Sequence, residues 1–363
     1  MSESTTTVRV ELASRSYDIE IGTGNLPQSG RFVARRLPVS HAVVITDSHV
    51  DRPHAEAVVA GFVESGVRVD RIVLEPGEAT KSVARADLLW QRLLEAAADR
   101  KSVIVAVGGG VIGDLAGFVA ATFARGLDFV QIPTTLLAQV DSSVGGKVAV
   151  NLPRAKNMVG AFWQPRGVLI DTQVLETLPV REFRAGLAEV VKYGVILDAD
   201  FFLYLEEHVS EILNRDPLVL RHVIARCCRL KADVVAADER EETGLRAVLN
   251  YGHTFGHAIE ALTGYDRYLH GEAVAIGMLC AARLAERLGR SDGSVTRRQR
   301  ELLTAFGLPT GVPDLDDAEF LAALQRDKKV AHGRLRFVLP SRLGHVELVG
   351  DIPAESVLAA LRP

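Results

Sequence analysis

The first half of the chain alternates short, β-branched apolar runs with amphipathic helical stretches, and few folds other than a covered parallel sheet accept that pattern. Residues 42–46, 71–75, 103–107, 129–132 and 168–170 are such runs, and each stops at Asp, Pro or Gly. Continuous apolar strands need cover on both faces, which helical stretches such as residues 84–99 supply. Ligands of such sheets sit at the carboxyl ends of the strands, where most of the polar and glycine-rich features fall. From about Leu178 the texture changes. Residues 181–330 are mostly helical in period, with long runs at 218–238 and 272–288, and residues 335–339 and 345–349 read as a small hairpin. The expected architecture is an α/β N-terminal domain (1–178) with a mostly parallel nucleotide-binding sheet, followed by a mainly α-helical C-terminal domain (179–363).

A chain of 363 residues is long enough for two cores, and 48% hydrophobic against 24% charged residues is ordinary for a globular protein. The formal net charge of −4 gives no global reason to expect nucleic acid or an anionic membrane as partner. Cys227 and Cys228 are adjacent and Cys280 stands alone, a usage that fits a reducing compartment. Residues 1–7 lack a basic segment leading into an apolar run, so no signal peptide is expected and the chain reads as cytoplasmic. The most hydrophobic window, 103–124, contains Asp114 and five glycines, which suits a buried strand, loop and helix rather than a membrane span.

Three segments carry chemistry. Gly108, Gly109, Gly110 and Gly113 follow a strand and open a helix, with Asp114 next; glycines let backbone approach a diphosphate, and the helix N-terminus offers free N–H groups. By itself the pattern also suits a tight turn packed on the sheet. Thr134, Thr135, Asp141, Ser142, Ser143, Gly145, Gly146 and Lys147 then gather hydroxyls, a carboxylate and a lysine after another strand, with Lys156 and Asn157 close behind. The third segment holds His253 and His257, four residues apart and hence on one helical face, with Glu260 beyond and His270 and Glu272 after a short gap. Glu189 and Lys192, three apart on a helix, read first as an ion pair. Alternatively Glu189 completes a metal shell with His253 and His270, and two imidazoles plus one carboxylate is a catalytic rather than a structural set.

These motifs together closely resemble the 3-dehydroquinate synthase family, across residues 108–272 and, through Pro76, Gly77, Glu78 and Lys81 upstream and Asp327, Lys328 and Lys329 downstream, across nearly the whole chain. The resemblance implies an NAD-binding N-terminal domain, a helical C-terminal domain and an active site in the cleft between them. The implied reaction is a phosphate lyase: 3-deoxy-D-arabino-heptulosonate 7-phosphate is transiently oxidised with NAD, loses phosphate, is re-reduced and closes by an intramolecular aldol step to 3-dehydroquinate. Carried over by position, the metal ligands (zinc or cobalt) are Glu189, His253 and His270. NAD contacts are Asp47, Glu78, Lys81, Gly109, Gly110, Asp114, Thr134, Thr135, Lys147, Lys156 and Thr177, the two later lysines near the junction with substrate. Arg125, Asp141, Asn157, Lys192, Lys231, Arg246, Asn250 and Lys329 are implied for the anionic substrate, with Arg125 acting across a homodimer. His257, Glu242 and Lys192 are implied in catalysis. A sister sugar-phosphate cyclase, a metal-dependent polyol dehydrogenase and a non-catalytic nucleotide-binding regulator are the competing readings; Lys192, Arg246, Asn250 and His257 favour the first.

Overall fold

The computed structural model describes residues 5–153, 155–326 and 336–362. In chain order the first half runs β1 (Thr6–Val10), β2 (Tyr17–Gly22), α1 (Ser29–Ala34), β3 (His41–Asp47), α2 (Glu56–Glu64), β4 (Arg68–Leu74) and α3 (Val83–Glu95). It continues through β5 (Val103–Gly108), α4 (Gly110–Thr122), β6 (Asp128–Pro133), β7 (Lys147–Leu152), β8 (Ala155–Phe162) and β9 (Gly167–Asp171). Then follow α5 (Val180–Leu197), α6 (Ala199–Glu207), α7 (Val209–Leu213), α8 (Pro217–Ala237), α9 (His253–Leu262) and α10 (His270–Arg287). The chain closes with α11 (Gly293–Ala305), α12 (Asp317–Arg326), β10 (Arg336–Arg342), β11 (His345–Gly350) and α13 (Ala354–Ala359).

Seven strands form one sheet in the order β1-β2-β9-β6-β5-β3-β4. Only the β1–β2 edge is antiparallel; the other pairings are parallel. The five apolar runs read from sequence are β3, β4, β5, β6 and β9. β5 and β9 are buried along their whole length, as strands covered on both faces must be. Val43, Ile45, Ile104, Ala106 and Phe129 pack with Leu89 and Leu93 of α3 and Leu115 and Val119 of α4 in one core cluster. Ser82 starts α3 by accepting the Arg85 amide hydrogen at its N-terminus. Strand order reverses between β3 and β5, which makes the carboxyl ends of these two strands the place where a crevice opens. Among the described residues no helix is long and apolar enough to cross a membrane, and residues 103–124 are β5, its glycine turn and α4 followed by a short turn.

The chain divides into two units, and the division departs from a single cut at Leu178. Residues 1–179 and 217–240 make up the first, residues 180–216 and 241–363 the second. The long helix α8 therefore leaves the helical half and joins the sheet. It lies on β1, β2 and the segment after β6: Arg229 donates to the Arg9 carbonyl of β1 (2.7 Å) and the Cys228 thiol to the Gln139 carbonyl of that segment (3.3 Å). Cys227 and Cys228 are fully buried, and desolvation pushes the Cys228 thiol up to about 12, so neither is poised for redox chemistry. In the second unit α5, α9 and α10 pack together, and the expected terminal hairpin is present as β10 and β11.

Candidate active site

At the carboxyl edge of the sheet the glycine turn ends β5 and opens α4. Gly109 caps α4, and the first turn of that helix holds no acidic residue to compete for an anion. A Cβ on Gly109 would come within 3.0 Å of the Thr135 methyl, and one on Gly110 within 3.1 Å of the Ser142 hydroxyl. The turn is thus packed against the segment after β6, and the Thr134 amide donates to the Gly108 carbonyl (3.0 Å). Thr134 is buried, and its hydroxyl oxygen has no hydrogen-bond partner among the described residues. Such an orphaned buried hydroxyl beside a helix N-terminus is a group waiting for a ligand. Thr135 is spent locally, accepting from the Ala138 amide (3.2 Å), and Asp47 at the end of β3 accepts from the amides of His49 (2.9 Å) and Val50 (3.3 Å).

Glu78, Lys81 and Asp114 form a chain of charges. The buried Lys81 ammonium lies 2.8 Å from Asp114 and 3.6 Å from Glu78, while the Asn151 amide donates to Glu78 (2.7 Å). Burial is the largest single influence on Lys81 and opposes its charge, but Asp114 and Glu78 together outweigh it and raise its pKa. Asp141 and Lys231 also meet, the ammonium donating to the Asp141 carbonyl (2.8 Å) and carboxylate (2.7 Å). Thr177 is committed to His54 (2.7 Å) and the Val174 carbonyl (3.0 Å); burial lowers the His54 pKa, and its neutral ring donates from Nε2 to the Thr177 oxygen. Lys147 and Lys156 are not brought together. Lys147 pairs with Phe162 at the open end of the β7–β8 hairpin, whereas Lys156 and Asn157 lie near its turn. Asn157 is exposed with φ 55°, its amide donating to Asn151 (2.9 Å). Arg125 is exposed in a turn where Ala124 (φ 49°), Arg125 (φ 68°) and Gly126 (φ 123°) are all left-handed.

In the second unit three helices converge on one carboxylate. Glu189 on α5 is fully buried, and its Oε1 accepts no hydrogen bond from the described residues. Nε2 of His253, the first residue of α9, lies 3.5 Å from that oxygen, and Nε2 of His270, the first residue of α10, lies 3.8 Å from it. One donor atom from each of the three side chains falls within 4.8 Å of the others, a spacing one ion spans. The other Glu189 oxygen is in close contact with the Lys192 ammonium, so the ion pair and the metal shell read from sequence coexist on different oxygens. The Tyr251 carbonyl lies 3.1 Å from Nδ1 of His253; a carbonyl only accepts, so Nδ1 carries the proton and Nε2 keeps its lone pair for a metal. Nδ1 of His270 lies 3.3 Å from Oε2 of the buried Glu260. Burial opposes charge on His270, but Glu260 and Glu189 raise its pKa. An unsatisfied buried carboxylate oxygen facing two imidazole nitrogens fits a divalent ion well.

His257 lies one turn beyond His253, its ring 5.5 Å from His253 and 6.1 Å from His270. The buried Arg246 lies 3.7 Å from Glu241, and Asn250 ends the short helical turn before α9. Glu242 is exposed in the loop before that turn. Lys329 lies outside the described residues.

With this geometry in place, comparison with known proteins is decisive. Residues 71–185 match the 3-dehydroquinate synthase N-terminal family model and residues 186–330 the C-terminal one. A 3-dehydroquinate synthase from Rhodopirellula baltica is 51% identical, covering 99% of this chain and 98% of its own length. The chain belongs to the 3-dehydroquinate synthase family. Another 3-dehydroquinate synthase, from Desulforamulus reducens, is 49% identical over 98% of this chain and 99% of its own. Among solved structures, a 2-deoxy-scyllo-inosose synthase complexed with carbaglucose-6-phosphate, NAD+ and Co2+ superposes with TM-score 0.89 at 30% identity, covering 98% of this chain and 99% of that one. The glycerol dehydrogenase of Schizosaccharomyces pombe shares the fold at TM-score 0.67 and 18% identity, covering 94% of this chain and 87% of that one.

The family motifs led to the histidines, yet three supporting groups went unassigned in the sequence. Glu260 follows His253 by seven residues and His257 by three, so helix periodicity alone puts it on their face. Arg181 at the start of α5 clamps Glu272 near the start of α10 (2.8 and 2.7 Å), and Glu272 also accepts from the Leu269 amide (2.9 Å). That clamp ties together the two helices carrying Glu189 and His270. The Tyr251 carbonyl is a backbone group, and no sequence signature marks it.

Proposed function

We propose that this chain converts 3-deoxy-D-arabino-heptulosonate 7-phosphate to 3-dehydroquinate and phosphate, using NAD that is regenerated at each turnover and a zinc or cobalt ion. The observation that carries the reading is the buried Glu189 oxygen facing His253 and His270, in a chain about 50% identical to curated 3-dehydroquinate synthases along nearly its whole length. When bound, NAD accepts and returns a hydride and the metal supplies Lewis acidity at the oxygen of the same carbon. The chain's own residues do the rest. Glu189, His253 and His270 hold the ion. Thr134, the Gly109–Gly110 backbone and the Glu78–Lys81–Asp114 chain, with Asp47, Thr135, Lys147, Lys156 and Thr177, are assigned to NAD. Lys192, Arg246 and Asn250, and likewise Arg125, Asp141, Asn157, Lys231 and Lys329, are assigned to a substrate bearing phosphate and carboxylate, which several cations must neutralise. His257, beside the metal ligands on α9, holds or moves a proton, and Glu242 is assigned a second acid–base role. The enzyme works in the cytoplasm as a homodimer.

Thr134→Val separates cofactor binding from folding. The hydroxyl has no partner among the described residues to lose, so stability is expected to hold or rise while NAD affinity falls about tenfold, the equivalent of one hydrogen bond. Calorimetric titration with NAD reads this, and unchanged affinity removes Thr134 from the cofactor site. The dimer assignment is tested by mixing Arg125→Ala with Lys192→Ala. Hybrids are expected to regain activity if Arg125 serves the neighbouring subunit, and hybrids shown to form but still inactive contradict it. The neighbouring 2-deoxy-scyllo-inosose synthase raises a sister-cyclase reading. Product analysis with glucose 6-phosphate and with sedoheptulose 7-phosphate discriminates, because turnover of either one in place of 3-deoxy-D-arabino-heptulosonate 7-phosphate would make the chain a sister cyclase instead.

A further inference from the structure

We propose that Glu260 is a positioning residue for the metal centre: it accepts the Nδ1 hydrogen of His270 and so fixes the ring with Nε2 turned toward Glu189 and His253. The inference rests on Glu189, His253 and His270 being the metal ligands. Of the three, His270 is the one that packing restrains least. Its side chain is 35% exposed, against 12% for His253 and none for Glu189, and it stands at the first position of α10. Packing therefore leaves more of its ring orientation to a hydrogen bond than for the other two ligands. Glu260 is placed for that bond. It is 6% exposed and carried on α9 two turns from His253, with Oε2 3.3 Å from Nδ1 of His270. Nε2 of the same ring points the opposite way, 3.8 Å from Glu189. A single imidazole cannot turn both nitrogens to one ion, so a carboxylate on each side sorts them: Glu260 takes the proton-bearing nitrogen and leaves the lone pair to the metal. The Tyr251 carbonyl does the same for His253. Each imidazole thus has its own acceptor behind it, one from backbone and one from a buried side chain.

The test compares zinc affinity, by competition with a chromophoric chelator, and the visible spectrum of the cobalt-loaded protein in Glu260→Gln, Glu260→Ala and His270→Ala, with NAD binding and thermal unfolding as checks on folding. Glu260→Ala is expected to weaken zinc binding about 10- to 100-fold and to shift the cobalt bands, with NAD affinity unchanged. Glu260→Gln, whose amide oxygen still accepts from Nδ1, is expected to lose less. Folded Glu260→Ala with parental zinc affinity and an unaltered cobalt spectrum overturns the positioning role. Loss of a second, separate equivalent of zinc from it would also overturn that role, making Glu260 a ligand of its own with His257 and His270, whose donor atoms also lie within 4.8 Å. Should His270→Ala keep parental affinity, the assignment of the metal ligands fails instead, and this inference with it.

Discussion

Glu189→Gln is expected to abolish metal binding and to lower turnover by roughly a thousandfold, equivalent to about 4 kcal/mol of transition-state stabilisation, while NAD still binds. The amide keeps the shape but loses the charge that a divalent ion requires, and it strands Lys192. That ammonium is 1% exposed and in contact with the Glu189 carboxylate. Breaking a buried ion pair from one side costs about 3–5 kcal/mol, because the remaining charge keeps its desolvation penalty. The variant is therefore expected to be unstable as well as metal-free. Glu189→Gln combined with Lys192→Met separates the two effects. Removing both charges restores most of the stability, whereas zinc binding stays lost. Denaturant unfolding and zinc content of the purified variants check this, and full zinc content in Glu189→Gln contradicts the assignment of the site.

Gly271→Ala is the second large effect, and it acts through the scaffold. A Cβ at Gly271 would stand 1.9 Å from the Ala185 carbonyl oxygen and 2.6 Å from its carbon. Both are backbone atoms of α5, so no rotamer change relieves the clash; α10 has to move off α5 by roughly 1.5 Å. Overpacking costs about 1–3 kcal/mol and occasionally more, which outweighs the helix propensity gained with alanine, of the order of 1 kcal/mol. The same shift separates His270 from Glu189, so the expected result is a melting temperature lower by ~5 °C or more together with at least tenfold weaker zinc binding. Gly311→Ala is the control, since among the described residues nothing lies within 4 Å of its new methyl. A Gly271→Ala protein with parental stability and zinc affinity would show that the close contact of α5 and α10 does not set the metal site.

Much of the architecture is legible in the sequence. Four of the five apolar runs, β3, β5, β6 and β9, form the parallel core of the sheet because burial on both faces leaves little room for any other pattern; the fifth, β4, is its largely exposed edge, and the Gly108–Gly110 turn caps α4 as its sequence context requires. The β1–β2 edge is harder to read. β1 alternates buried and exposed residues, the pattern of a strand with one face in water, over only five residues. The placement of α8 does not follow from periodicity. Its amphipathic pattern shows that one face is buried but not against what, and its partners, Asp141 and Arg9, stand 90 and 220 residues away in sequence. At the metal site the histidine spacing is visible, and Glu189 is open between an ion pair with Lys192 and the metal shell until the resemblance selects the shell. Glu260 shares the helix face of His253 and His257, but the family motifs give it no role.

The central claim is most directly tested by incubating the purified chain, loaded with zinc or cobalt and NAD, with 3-deoxy-D-arabino-heptulosonate 7-phosphate. Phosphate release, the organic product and absorbance at the NADH band are followed together. The account predicts phosphate and 3-dehydroquinate in equal amounts with no accumulation of NADH. No phosphate release from folded, metal-loaded protein, or NADH building up in step with turnover, would contradict it.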